Sequence, residues 1–330
     1  MNRLASPVMY YGSKARIAEQ IAEMLPPHTH YVEPYAGSLS VLLAKAPARM
    51  ETVNDLDQHL MTFWRVLRDS PSELERACAL TPHGRPEHRE ARALNEEGIS
   101  EVERARRVWV MLTQGRSGAL RTTGWRYARS ADDGFCGPSR LSTYLDRIAP
   151  VADRLRRVSL ECRPAVDLVR DYGQGPRTSR TLIYLDPPYP GGTRSRNYCV
   201  EAMSAAAHTE LAEAAREASA TVVVSGYACE LYDEQLYPDW YRYELAAWTT
   251  QGGGRRERTE VLWSNRPLQA QISFTDIPEF CDSSAPERTE CHETRCGAPS
   301  CGMLIQQPPT GRRRRYCGDA CRRRAHRTRR

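Results

Sequence analysis

The sequence predicts an α/β fold, and three stretches predict it. Thr181-Leu182-Ile183-Tyr184-Leu185 is a short apolar run that reads as a buried strand, and it ends in Asp186-Pro187-Pro188-Tyr189. Tyr31 to Ser38, followed by Leu39-Ser40-Val41-Leu42-Leu43-Ala44, reads as strand, tight glycine turn and helix, a geometry in which α/β folds hold nucleotides and nucleosides. Glu51-Thr52-Val53-Asn54-Asp55 looks like a second strand ending in an acid.

Along the chain, Tyr10-Tyr11-Gly12-Ser13-Lys14 comes first and precedes an amphipathic helix over residues 15 to 25, closed by Pro26-Pro27. The strand–glycine–helix unit follows. At the end of the next strand, a carboxylate such as Asp55 can accept both hydroxyls of a ribose. A plain capped turn would explain Gly12 or Asp55 taken singly. The turn at Asp186 is more particular. Each proline fixes φ and removes a backbone donor, so the carbonyls of Asp186 and Pro187 are free to accept from a ligand, beside the ring of Tyr189. Acceptors for two N–H bonds and an aromatic face are what an exocyclic amino group needs once its base has left the helix. An ordinary strand exit also uses Pro-Pro, and the tetrapeptide alone leaves the two readings balanced.

Residues 76 to 145 read as a helix-rich insertion with a core helix over 102 to 112. After that helix, Thr113 to Arg129 mixes four arginines, Trp125 and Tyr127 with glycines, which suits a hairpin or loop lying on DNA, where arginine takes phosphate or guanine. Arg116, Arg121, Trp125 and Arg126 are its candidate contacts. A solvated loop is the alternative, because the chain has only two lysines, Lys14 and Lys45, and uses arginine as its general cation.

After Pro267 the character changes. Residues 268 to 290 read as a linker, and 291 to 330 carry Cys296, Cys301, Cys317 and Cys321 in the pattern C-x4-C, fifteen residues, C-x3-C. Four thiolates so spaced can close a tetrahedral zinc site, and the metal would supply folding energy to a segment too short for a core. Cys291 and His292 are spare ligand candidates, and a disordered cysteine-bearing tail is the other reading. Residues 311 to 330 hold ten arginines and one acid, a charge of +9; subtracted from the whole-chain +6, this leaves −3 for residues 1 to 310. Charge so concentrated should bind phosphate backbone without choosing a sequence, and a solvated or RNA-binding tail is the competing reading, which charge alone does not separate. The whole chain of 330 residues is 40% hydrophobic, with no apolar run near the length of a membrane-spanning helix and no signal-peptide segment. The eleven cysteines read as free thiols or metal ligands, with Cys78, Cys136, Cys162, Cys199 and Cys229 scattered and bland.

Together and in this order, Tyr10 to Lys14, Glu33-Pro34-Tyr35-Ala36-Gly37, Asn54-Asp55-Leu56-Asp57 and Asp186-Pro187-Pro188-Tyr189 resemble the Dam-type DNA adenine N6-methyltransferases. Weaker echoes are Ala165 to Leu168 and Glu260 to Asn265, and the resemblance covers roughly residues 7 to 267. It implies a class I methyltransferase fold: a Rossmann-like mixed sheet whose two halves, 1 to 75 and 146 to 267, flank a helical target-recognition insertion. It implies S-adenosylmethionine as methyl donor and N6 of adenine, flipped out of double-stranded DNA, as acceptor. Asp186, Pro187 and Tyr189 would be catalytic. Tyr10, Lys14, Glu33, Pro34, Ala36, Gly37 and Asp55 would line the cofactor site with Asp186, and Asp167 would lie near the cofactor adenine. The family usually has another glycine where this chain has Leu39, and a side chain there would hold the loop away from the cofactor. N4 of cytosine, or a homologue that binds DNA with impaired catalysis, are the alternatives. A companion restriction endonuclease and a cytoplasmic place in a bacterial or phage-infected cell, on the nucleoid, complete the expectations.

Overall fold

The computed structural model describes residues 4–128, 137–175, 178–189, 203–249, 256–269, 293–296, 301, 303–306, 317 and 321. The chain divides into two compact units, residues 1–271 and 272–330. Among the described residues the first unit has a seven-stranded sheet: β1 (His30–Glu33), β2 (Met50–Asn54), β3 (Val158–Glu161), β4 (Thr181–Leu185), β5 (Thr221–Gly226), β6 (Tyr241–Thr249) and β7 (Arg256–Ser264). The order is β3-β2-β1-β4-β5-β7-β6. β3 through β5 pair in parallel, whereas β7 is antiparallel to both neighbours. This is the doubly wound order with one antiparallel strand slipped in beside the edge, the mixed Rossmann-like sheet that the resemblance implies. The order reverses at β1, where His30 faces Met50 on one side and Thr181 on the other. A crevice outside the carboxyl ends of the strands is the expected ligand site at such a point.

Strand alternation divides the core in two. Tyr31, Leu182, Tyr184, Val223 and Leu262 face one hydrophobic cluster, and Val32, Ile183, Leu185, Val222, Val224, Val261 and Trp263 face the other. Both faces of β4 and β5 are covered, which is why their sequences are apolar without alternation. The helices are α1 (Ala18–Met24), α2 (Ser40–Ala44), α3 (Gln58–Asp69), α4 (Pro71–Ala79), α5 (Arg85–Glu90), α6 (Glu101–Gln114), α7 (Gly137–Leu145), α8 (Ile148–Leu155), α9 (Ala165–Gly173) and α10 (Ala205–Glu217). Ile21, Leu42, Trp64, Leu74, Trp109, Leu141 and Val151 bring most of helices α1 to α8 into the first cluster. Leu168 of α9, Leu211 of α10 and a π-helical turn over Leu231–Leu236 fill the second.

Three expectations shift. The first helix begins at Ala18, because Ile17 has a non-helical backbone and the preceding residues turn instead, with Ile17 N donating to the Lys14 carbonyl. A division at residue 75 falls inside α4, and the insertion shares the first cluster through Trp109 and its neighbours, so it has no core of its own. Leu268, expected to begin a linker, is buried in that cluster, and Gln269 N donates to the Met24 carbonyl at 2.9 Å.

In the second unit, β8 (Glu293–Arg295) and β9 (Leu304–Gln306) form an antiparallel hairpin that Cys296 N extends by donating to the Met303 carbonyl at 2.8 Å. The rest of the linker, the spare ligands Cys291 and His292, Arg129, Cys136, Cys199 and the arginines of the tail lie outside the described residues.

Candidate active site

A cavity of about 570 Å³ opens at the carboxyl ends of β1, β2 and β4, lined by residues 10–14, 33–38, 40–41, 54–57, 164–166, 184, 186, 188, 203–204, 207 and 210. That volume suits a ligand the size of a nucleoside derivative. The glycine turn is built for close approach. Gly37 has φ +46, and a Cβ there would meet the Tyr10 ring at 3.2 Å. Asp55 stitches the turn to the next strand end, accepting from Gly37 N at 3.1 Å and from Asp57 N at 3.0 Å. Asp57 itself caps α3 by accepting from His59 N and Leu60 N. Ser13, Ser38 and Ser40, which look like ordinary loop residues in the sequence, stand with their hydroxyls 2.8–2.9 Å apart on the cavity wall.

Leu39 corrects an expectation. It takes the left-handed conformation that glycine would prefer, φ 55, but its side chain is fully buried in the core and does not line the cavity. A non-glycine residue in that region costs about 1–2 kcal/mol. Burying a leucine side chain returns about 1.5–3 kcal/mol. The departure from glycine therefore acts on backbone strain and leaves the cavity open.

Acids dominate the lining. Glu33, Asp55, Asp57, Asp186 and Glu210 face one cation, Lys14, among the described residues. Desolvation pushes Glu33 up to about 8, although Tyr31 OH donates to it at 2.9 Å. It pushes Asp55 to about 6 against the pull of the Asp57 and Gly37 N–H groups. Asp186 also rises to about 6, mainly by desolvation, with Lys14 pulling it down. For Lys14, burial favours the neutral amine, but Asp186 and Glu260 outweigh it and hold the ammonium above its ordinary range.

Asp186, at the exit of β4, accepts from Lys14 Nζ at 2.5 Å, and the same ammonium lies 2.6 Å from Tyr189 OH. Tyr189 OH in turn donates to Glu260 Oε1 at 3.0 Å, and its ring lies 4.5 Å from that of Tyr227. Lys14, which the resemblance puts in the cofactor site, thus lines the cavity and also pairs with Asp186. Tyr10, Glu33, Pro34, Ala36, Gly37, Asp55 and Asp186 line the same cavity. Asp167 does not; Pro164, Ala165 and Val166 supply that wall. Pro187 is buried and Pro188 takes the lining position.

The arginine-rich segment forms a short hairpin. Gly115 bridges Trp125, Arg116 N donates to the Gly124 carbonyl, and Arg126 N donates to the Gln114 carbonyl. Trp125 stacks on Tyr127 at 15°, and the Arg85 guanidinium lies over both rings at 4.9 and 5.0 Å. Arg85 opens α5, far from the hairpin in sequence and in no motif of its own, so no sequence signal marks it. Arg116 is exposed. Arg126 is half-buried and donates to the Arg116 carbonyl at 2.7 Å, so it closes the hairpin from within. Arg121 is also half-buried.

In the second unit the Sγ atoms of Cys296, Cys301, Cys317 and Cys321 all lie within 4.8 Å of one another and could hold a metal ion. Cys301 to Cys317 is 3.6 Å, and Cys321 lies 3.4 Å from each of them. Cys317 N donates to Cys296 Sγ at 3.3 Å, a hydrogen bond that stabilises a thiolate.

A family model described as D12 class N6 adenine-specific DNA methyltransferase matches residues 10–245. Among solved structures, an rRNA methyltransferase of Streptomyces viridochromogenes is 14% identical over 78% of this chain and 86% of its own, with a TM-score of 0.34. The C-terminal domain of a precorrin-6Y C5,15-methyltransferase of Rhodobacter capsulatus is 12% identical over 82% of this chain and all (100%) of its own, with a TM-score of 0.32. Likeness that low adds nothing to the topology above. Comparison with curated proteins gives no match.

Proposed function

We propose, on the premise that this chain belongs to the D12 class N6 adenine-specific DNA methyltransferases, that the cavity beside β1 holds the methyl donor and that Asp186 and Tyr189 receive the target adenine. The protein is an adenine-specific DNA methyltransferase that uses S-adenosylmethionine. The observation that carries the site assignment is the charge of the cavity. With Asp186 balanced by Lys14 and Glu210 paired to Arg170, it is Glu33, Asp55 and Asp57 that make the wall suit a cationic ligand, Glu33 giving up its proton to meet an ammonium, and S-adenosylmethionine has an ammonium, a sulfonium and one carboxylate. Asp55 would take the ribose and Glu33 the ammonium. The hydroxyls of Ser13, Ser38 and Ser40 would meet the methionine carboxylate. When bound, the cofactor supplies a methyl group made electrophilic by its sulfonium.

The chain's own residues prepare the nucleophile. Adenine N6 is a poor one because its lone pair is delocalised into the ring. A carboxylate and a carbonyl accepting its two N–H bonds favour the pyramidal amine and stabilise the positive charge that develops on nitrogen. Asp186 supplies the carboxylate and Pro187 the carbonyl, while the Tyr189 ring gives the flipped base a surface to stack on. With its pKa near 6, Asp186 can also take the proton that the methylated amine releases. On the DNA side, Arg116 with the Arg85–Trp125–Tyr127 stack forms the contact surface, and Arg121 and Arg126 shape it from within.

The cysteine cluster is a structural zinc site. Tetrahedral Zn–S bonds of about 2.3 Å set sulfurs about 3.8 Å apart, close to the observed spacing, and a closed four-thiolate set leaves no position open for chemistry.

The site is tested by separating binding from transfer. Asp186→Ala should remain folded, by melting temperature, yet lose about a hundredfold or more in methyl transfer to unmethylated DNA. Asp55→Ala should weaken cofactor binding in calorimetry more than it slows transfer at saturation, because ribose contacts are alike in ground and transition states. Near-normal turnover in folded Asp186→Ala would remove the assignment.

A further inference from the structure

Behind the acceptor carboxylate stands a second one. Glu260, on β7, is 3% exposed and does not line the cavity. Its Oε1 accepts from Tyr189 OH at 3.0 Å and from Ser225 Oγ at 2.7 Å, and lies 3.6 Å from Lys14 Nζ. An acid so deep is costly to keep unless its partners need it. Two of those partners belong to the transfer site. The Tyr189 hydroxyl is a handle by which the ring can be held without covering its face, and Glu260 holds it there. Lys14, meanwhile, sits 2.5 Å from Asp186 and by itself would neutralise the charge that the target amine requires.

We propose that Glu260 is a positioning residue for methyl transfer, fixing the Tyr189 ring through its hydroxyl and offsetting the charge of Lys14 so that the Lys14–Asp186–Glu260 group as a whole stays net negative toward the amine. The inference rests on the assignment of Asp186 and Tyr189 to the target base. Lys14 and Asp186 alone form a neutral pair, which offers little to a developing cation. With Glu260 the trio carries one net negative charge, and the trio plus a cationic N6 is neutral. Such fixed charge, arranged before the reaction, is what lowers a barrier in a site that excludes water.

A charge replacement tests this. Glu260→Gln keeps the shape and an acceptor for Tyr189 and Ser225 but removes the charge. At saturating cofactor and unmethylated DNA its kcat should fall about 10- to 100-fold, in the range for removal of one preorganised electrostatic interaction. S-adenosylmethionine affinity, by calorimetry, should stay within about twofold, since the interaction matters in the transition state. The acid limb of the kcat profile should also move to lower pH. Asp186 is faced by Lys14 from the N-terminal turn, Glu33 from β1, Tyr184 from β4, Tyr232 from the π-helical turn, Glu260 from β7 and Tyr189 from its own loop. Removing Glu260 takes away a like charge that raises it, so it ionises more readily even as the rate falls. A merely structural role would not move that limb downward. Tyr189→Phe, which keeps the ring and cuts the tether, should lower kcat about tenfold, and the double variant should fall by less than the product of the two. A kcat for Glu260→Gln within about twofold of the parent, or an unmoved acid limb, overturns the proposal. If that variant does not fold, parental kcat in folded Tyr189→Phe overturns it instead. Activity in Asp186→Ala would strike the underlying site assignment, whereas an inactive Asp186→Ala beside a normal Glu260→Gln strikes this inference alone.

Discussion

Glu33 keeps its proton at neutral pH, because burial lifts its pKa from 4.5 to about 8 and one hydrogen bond from Tyr31 does not compensate. Between those values the folded protein binds a proton that the unfolded chain has released, so the stability of the ligand-free protein should fall as pH rises through the window. Glu33→Gln should flatten that dependence, read as melting temperature at about pH 5.5 and 8. A cationic ligand works in the opposite direction: an ammonium placed against Glu33 favours the carboxylate and expels the proton. Calorimetry of S-adenosylmethionine binding in buffers of different ionisation enthalpy should therefore show release of about one proton near neutral pH, absent in Glu33→Gln. Persistence of the release in that variant would place the ammonium elsewhere. Glu33 and its turn are legible in the sequence because strand, acid and glycine are contiguous. The Lys14–Asp186 pair is not, since it joins residues 172 apart, and neither is the Glu260 tether, where an isolated acid in a strand gives no sign of what it faces. At Leu39 the sequence shows a departure from glycine, but only the backbone shows that the side chain turns into the core.

Elements reveal what spacing alone leaves open. The apolar runs of β4 and β5 announce strands covered on both faces, and the α6 pattern announces its helix, but the pattern says nothing of whether the insertion has its own core; Trp109 packing into the common cluster answers that. The same holds for the arginines after α6, where Arg116 turns outward and Arg126 inward on one short hairpin. For the β8–β9 hairpin the cysteine spacing carries more, because four thiols have few ways to converge, and they do converge. The segment around them is too short to build a core that would hold it without metal. Protein purified without chelator should contain about one zinc per chain, and Cys317→Ser with Cys321→Ser should abolish it. Removing the metal should unfold the module, seen as faster exchange of its amides, while the melting of the catalytic unit is unchanged. Zinc-free protein with a folded hairpin would remove the structural role.

At the scale of the whole molecule, charge is distributed by segment. Residues 1 to 310 carry −3 and the last twenty carry +9, so an enzyme that must approach a polyanion has a slightly acidic body and a strongly basic end. The body's acids have their own use at a cavity suited to a cation, which leaves attraction to phosphate to the tail. Backbone binding releases counterions and carries little sequence information, whereas recognition of base edges does the reverse. Deleting residues 291 to 330 should accordingly leave the melting temperature of the catalytic unit and the methylated sequence unchanged, while DNA affinity at low salt falls. The logarithmic salt slope should flatten by about 0.9 for each phosphate on duplex DNA that the tail no longer neutralises. Chelating the metal should weaken binding less than deletion does, because the arginines remain on an unfolded tail. The measurements are binding isotherms across salt concentration and sequencing of methylated sites in DNA exposed to each form. An unchanged salt slope would show that the tail does not engage the backbone, and a changed methylation site would show that it reads sequence.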